Sequence, residues 1–140
     1  MTRFWVTLPQ AVAFVMSAIG DLRGGEVFVP ELPAAPIARL AEALVPQDVL
    51  PNYETLGIRP GGEKLHEELL SEAEIARVRF RNGFYVVPPY QDSEMWDNQP
   101  WLGAPVGADF SYRSDTWSRQ MTVDEMRTLV VEALQAKGVA

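Results

Sequence analysis

Three tetrads of one kind divide the chain: Thr7-Leu8-Pro9-Gln10, Ser71-Glu72-Ala73-Glu74 and Thr122-Val123-Asp124-Glu125. In each, a hydroxyl can accept from a backbone N–H three residues on, while a Gln or Glu side chain returns the bond. That reciprocal pattern is a capping box, and it starts an α-helix. Residues 2–7 before the first box are aromatic and β-branched, as a short strand would be, and Pro9 falls in the first turn, where its missing N–H costs nothing. Leu8, Val12, Val15, Met16 and Ile19 then recur at helical spacing and predict a single apolar stripe packed on the core, with Gly20 and Gly24-Gly25 as the stop. The second box predicts a short helix carrying Ile75 and Val78. The third precedes Val123, Met126, Leu129, Val130 and Leu134 on one face and predicts a C-terminal helix over 122–137.

Between the boxes, 26–29 is a short apolar run flanked by Gly-Gly and Pro30, which suits a buried strand. Ile37, Leu40, Ala41 and Leu44 predict a second amphipathic helix ending before Pro46. Residues 53–58 and 84–87 are two further strand candidates, the latter stopped by Pro88-Pro89. Strand and helix alternate, so the expected class is α/β, with few short strands and amphipathic helices. Residues 88–109 show no periodicity and hold exposed-type aromatics, Tyr90, Trp96 and Trp101, in a long loop. With 140 residues and neither internal repeat nor linker, 1–140 is read as a single domain.

A hydrophobic share of 47% against 22% charged residues fits a folded, soluble chain rather than a disordered one. The net charge of -7 argues against nucleic acid and against an anionic membrane surface, both of which need a basic face. No apolar run is long enough to span a bilayer, and the expected location is cytoplasmic. The absence of cysteine removes disulfides, thiolate metal sites and thiol nucleophiles.

The stretch Gly57-Ile58-Arg59-Pro60-Gly61-Gly62-Glu63-Lys64-Leu65-His66-Glu67-Glu68-Leu69-Leu70 carries the most chemistry. It reads as a Gly-rich turn with two cations and a carboxylate, running into a helix. Arg presents a planar fork to phosphate oxygens, Gly admits a close backbone approach, and Glu can accept from sugar hydroxyls, so a phosphorylated sugar would suit it. A plain helix-entry turn with solvated Arg and Glu would show the same residues. His66, the single histidine, has no second histidine or cysteine with which to hold a metal, and a helix-surface or packing role fits it better than catalysis. Tyr112 is expected to pack or to make a loop hydrogen bond.

Three segments carry a family resemblance. Residues 1–8, Met1-Thr2-Arg3-Phe4-Trp5-Val6-Thr7-Leu8, are similar to the MTRFWITL segment of the inverting UDP-N-acetylglucosamine 4,6-dehydratases and related polysaccharide biosynthesis enzymes. The 57–70 stretch resembles their RPGEKLHE signature, and Phe110-Ser111-Tyr112-Arg113-Ser114-Asp115-Thr116 resembles their FSY-SDTN segment. The three stand in family order. The resemblance implies the small C-terminal, substrate-binding subdomain of an extended short-chain dehydrogenase/reductase, without the complete Rossmann domain. It also implies that Arg3 and Arg59 approach a UDP diphosphate and that Glu63 lies at the ribose. Two departures stand out: Gly61-Gly62 adds a residue to the signature, and Trp117 occupies the place of an Asn.

The family's cofactor is NADP, held on a Gly-rich strand-to-helix turn, and its proton chemistry uses a Tyr and a Lys four apart. Neither pattern occurs here, since Gly57, Pro89, Glu94 and Thr116 follow Tyr53, Tyr85, Tyr90 and Tyr112 at that spacing. No catalytic residue, cofactor site or metal site is therefore assigned to this chain. The expected partners are a UDP-sugar, a complementary Rossmann-domain chain and further copies of itself. Met1 falls where the family has an internal Met, as it would in a fragment or a split subunit. A non-catalytic interaction protein that keeps the fold without the ligand is the rival reading, and a hydrolase using His66 with Glu63 or Glu67 is a third.

Overall fold

The computed structural model describes residues 1–46, 48–49, 54, 57–58, 60–90, 96, 99–136 and 138. The first strand, β1 (Thr2–Phe4), leads to α1 (Leu8–Asp21), whose box closes as the tetrad predicts: Gln10 N donates to the Thr7 hydroxyl at 3.4 Å and Thr7 N donates to the Gln10 side chain at 3.0 Å. Strands β2 (Val27–Pro30) and β3 (Ala34–Pro36) follow, and β3 runs directly into α2 (Ile37–Leu44). After β4 (Glu68–Leu70), α3 (Glu72–Ile75) starts at Ser71, which donates through its backbone N and its hydroxyl to the Glu74 carboxylate at 2.8 and 2.6 Å. Strands β5 (Arg79–Arg81) and β6 (Phe84–Val87) form a hairpin through Asn82 and Gly83, both at positive φ, 50° and 84°. A two-residue turn of that hand matches the twist of its strands, which is why Asn-Gly serves here. The 88–109 stretch contains a 3₁₀ turn at Pro100–Leu102 and β7 (Ala104–Pro105); β8 (Tyr112–Arg113) and α4 (Val123–Gln135) complete the order.

All the paired strands are antiparallel. The largest sheet runs β2-β6-β5-β7, while β1 pairs with β3 and β4 with β8. Strand β6 is buried along its whole length because it has apolar layers on both faces. Tyr85 and Val87 join Val29, Leu70, Val78 and Tyr112 on one side. Phe84 and Val86 join Trp96 and Leu102 on the other, where Phe14 of α1 and Phe28 of β2 also pack. A third cluster, Ala35, Met121 and Met126 with Trp5, Leu40 and Leu129, lies where α2 and α4 meet the β1–β3 pair. The class is mixed α/β.

Three expectations are corrected. The α1 stripe is not core: Leu8 is 75% exposed and Met16 64%, with Val12, Val15 and Ile19 also above half. Helical periodicity identifies an apolar face but not its cover, and here α1 meets the sheet through Phe14, 6.3 Å from Phe84, on the far side of the helix from the stripe. Residues after the Gly-rich turn form β4 rather than a helix, because β8 offers Glu68 and Leu70 a strand to pair with. Trp96 is buried to 4%, edge-on to Trp101 at 5.4 Å, whereas Tyr90 is exposed as expected. The strand expected at 53–58 falls mostly outside the described residues.

Candidate functional site

The three family-like segments, far apart in sequence, meet at one junction. Strand β1 places Thr2 with its hydroxyl 2.8 Å from His66 Nδ1 and 2.7 Å from the Ser114 hydroxyl. Ser114 is fully buried; its Oγ accepts from Glu67 N at 2.8 Å, and its own N donates to Glu67 O at 2.9 Å. Thr2 N donates to Leu65 O at 2.9 Å. Ser114 Oγ, Thr2 Oγ1 and His66 Nδ1 thus form one continuous hydrogen-bonded chain of hydroxyl, hydroxyl and imidazole. The helix-surface expectation for His66 gives way to this hydrogen-bonded position before β4.

Arg3, on the next residue of β1, is no loose terminal cation. Its guanidinium donates to Lys64 O at 2.9 Å, Leu65 O at 3.4 Å and Thr2 O at 2.6 Å, and Nε lies 3.6 Å from Glu67 Oε1. The other Glu67 oxygen accepts from Phe4 N at 2.9 Å. Arg3 and Glu67 thus clamp the 64–67 strand end to β1, through three hydrogen bonds from NH1 and NH2 and the ion pair at Nε. Glu67 is committed to this clamp and not to His66. Just before it, Gly61 and Gly62 stand at φ 118° and 91°, both in a region that side chains rarely adopt. After this turn the chain is held again at Lys64 and Leu65. Glu63 is half-buried beside this turn. Arg59 lies outside the described residues.

Beneath the junction, Tyr112 is fully buried. Its hydroxyl donates to Pro30 O at 2.8 Å and accepts from Leu32 N at 2.6 Å, the hydrogen-bonding role expected for it. Burial pushes the phenol up to about 12. Phe4, Tyr85, Phe110 and Trp117 surround the ring at centroid separations between 4.6 and 6.3 Å. Trp117, in the place of the family's Asn, belongs to this aromatic floor. Beyond it, Arg113 and Asp115 form a bidentate pair at 3.2 Å. Neither Thr2 nor Ser114 was singled out by the chemistry of the residues, and Glu67 was named only as a partner for His66. The available signal was that each lies inside one of the three segments.

A metal has no ligand set here: no cluster of three His, Asp or Glu occurs among the described residues. The N-terminus of α1 is closed by Thr7 and by Pro9, which has no N–H to offer. Those of α3 and α4 start against the carboxylates of Glu74 and Glu125, and hydrogen bonds from Arg119 and Thr122 hold the Glu125 carboxyl down at about 2, so it is charged and repels phosphate.

The family model described as "Polysaccharide biosynthesis protein" matches residues 1–89, well over half of the chain. The chain belongs to this family. A UDP-N-acetylglucosamine 4,6-dehydratase (inverting) of Campylobacter jejuni is 36% identical over 121 residues, covering 82% of this chain and 35% of the relative. A UDP-glucose 4-epimerase of Rickettsia felis is 37% identical over 91 residues, 63% of this chain and 26% of the relative. The X-ray structure of Pen from Bacillus thuringiensis superposes on 94% of this chain and 37% of its own, with a TM-score of 0.72 and 26% identity. The chain therefore spans about a third of the length of the curated dehydratase it matches. No helix among the described residues is long and apolar enough to cross a membrane.

Proposed function

We propose that this family member is the UDP-sugar-binding portion of a nucleotide-sugar 4,6-dehydratase of the UDP-N-acetylglucosamine type, working in polysaccharide or glycan biosynthesis in the cytoplasm. It acts with a polypeptide that supplies NADP and the proton-transfer residues, and it is not catalytic alone. The observation that supports this reading is the convergence of the three family-like segments on Thr2, Glu67 and Ser114, which sets Arg3 against the strand end following the Gly61-Gly62 turn. Arg59 and Arg3 neutralise the diphosphate, and Glu63 accepts from the ribose hydroxyls.

Calorimetric titration with UDP-N-acetylglucosamine, with and without a cofactor-binding portion from a relative, tests it. Saturable binding is expected, and Arg59→Ala weakens it by about 1.5 to 3 kcal/mol, roughly ten- to a hundredfold. Glu63→Ala asks whether the added glycine has moved that carboxylate off the ribose. The purified chain forms no 4-keto sugar. Absence of UDP binding in both titrations, or equal binding by the wild type and Arg59→Ala, overturns the assignment and leaves the interaction-protein reading.

A further inference from the structure

The loop that leaves α1 and the 3₁₀ turn at Pro100–Leu102 bring an arginine and two tryptophans to one cavity. It has a volume of about 340 Å³ and is lined, among the described residues, by Arg23, Trp96, Gln99 and Trp101. Each wall is fixed by contacts of its own. Glu26, only 8% exposed, turns its carboxylate back on the loop and accepts from Arg23 N and from Gly24 N, the latter at 2.6 Å. Gly25, at φ 85°, brings the loop against Pro89, whose Cβ a side chain here would meet at 3.4 Å. On the other wall, a Cβ on Gly103 would lie 2.1 Å from Phe80 O, so glycine alone lets the 3₁₀ turn close on β5. Leu102 is buried beneath that turn, and buried Trp96 stands edge-on to half-buried Trp101.

Arg23 is unlike Arg3 at the junction. Its guanidinium carbon lies 5.5 Å from the centre of the Trp101 ring, and among the described residues the group makes neither an ion pair nor a side-chain hydrogen bond. Scarcity of acids is not the reason, since the chain has 19 Asp and Glu against 12 Lys and Arg. The carboxylate that the Arg23 backbone meets, Glu26, is committed to N–H groups of the loop. One face of the guanidinium is therefore occupied by the indole, while its N–H edge stays available in the plane. The geometry points to a second binding site, for a small aromatic oxyanion: the Arg23 fork takes the carboxylate or phosphate, and the attached ring lies in the cavity against Trp101 and Trp96. The volume is near the lower end for small-molecule sites, which limits the ring system to about one or two fused rings. Arg23 and the end of β1 are separated by the length of α1, about 20 Å. The site thus stands apart from the residues assigned to UDP, and either can fail without the other.

Calorimetric titration of the full chain with naphthoate and with naphthyl phosphate tests the site. Naphthylmethanol serves as the uncharged control, and acetate and inorganic phosphate as the ringless ones. Saturable binding at about millimolar concentration or below is expected for an acid of this size. The alcohol should bind at least about tenfold more weakly, and acetate and inorganic phosphate more weakly still. Binding of either acid supports the site, and the tighter of the two names its oxyanion. Arg23→Gln, which removes the charge and the fork, should weaken binding by about tenfold or more, and Trp101→Leu should weaken acid and alcohol alike. Indole N–H resonances of Trp96 and Trp101 should move during the titration, while that of Trp5, which donates to Ala35 O, stays in place. Thermal melting checks that each variant is folded, and the comparison of acid with alcohol needs no variant at all. Equal affinity for acid and alcohol, equal binding by the wild type and folded Arg23→Gln, or no saturable binding of either acid overturns the proposal. So does a titration that moves Trp5 and leaves Trp96 and Trp101 unchanged.

Discussion

Thr2 and Leu8 are six residues apart, yet their surroundings differ in kind. The Thr2 hydroxyl sits between His66 and Ser114, and the backbone of its segment is held by Leu65, Glu67 and Arg3. Leu8 starts a helix whose apolar side has water where a core would be. The junction makes its contacts within the chain, through polar groups that are expensive to leave unpaired once buried. Hydrophobic surface carries no such directional demand, so α1 keeps its helix by local capping and by Phe14 while its remaining face stays exposed. The site is self-sufficient within the chain, whereas the rim around α1 is not.

Substitutions can break or sharpen this contrast. The largest loss is expected at Tyr112→Ala, which removes a fully buried ring from the aromatic floor and should cost about 3 to 5 kcal/mol in urea unfolding. Tyr112→Phe keeps the ring and leaves Leu32 N and Pro30 O unpartnered, for a smaller loss of about 1 to 3 kcal/mol. The pH dependence follows the same group. Its folded pKa is raised, so its stabilising contribution is complete below the ordinary tyrosine value near 10 and is lost as pH rises through about 12. Urea midpoints of the wild type should fall across that window more steeply than those of Tyr112→Phe.

Ser114→Ala comes next: it removes the acceptor for Glu67 N and the partner of Thr2, at about 1 to 3 kcal/mol. A loss under about 0.5 kcal/mol would mean that the three segments hold together without it. Arg3→Ala should cost no more than about 1 kcal/mol, since its ion pair with Glu67 is long and partly exposed. Calorimetry with UDP should show the larger effect, because the clamp on residues 64–67 is released. The smallest change belongs to Met16→Gln, within about 0.5 kcal/mol in the isolated chain although it replaces an apolar residue in the middle of a helix. Destabilisation as large as that of Ser114→Ala would show the stripe to be covered already.

Local features were legible in the residues. All three capping boxes open helices, α2 ends at Leu44 as the Val45-Pro46 pair implies, and Phe84 to Val87 form a strand. The expected α4 to 137 is seen to Gln135. Misreadings occurred where the deciding partner was remote: residues 68–70 become a strand because β8 pairs with them, and Trp96 is buried because Phe84, Val86 and Leu102 close over it. At the site, Arg3 was legible as a functional candidate, but its bonds to Lys64 and Leu65 were not.

What the sequence by itself determined is whatever is settled within a few residues: where helices start and stop, which tight turns need glycine, and the family to which the three segments point. Hydroxyl caps, fixed proline torsions and glycine's access to positive φ act over three or four positions, so they can be read directly from the order of residues. The tertiary structure alone decided that Thr2, His66 and Ser114 share one hydrogen-bonded chain across separations of 64 and 112 residues, and that the apolar face of α1 is exposed among the described residues. The physical reason is the same in both cases. Burial is a property of what lies opposite a side chain, and a periodic pattern specifies a face without specifying its neighbour.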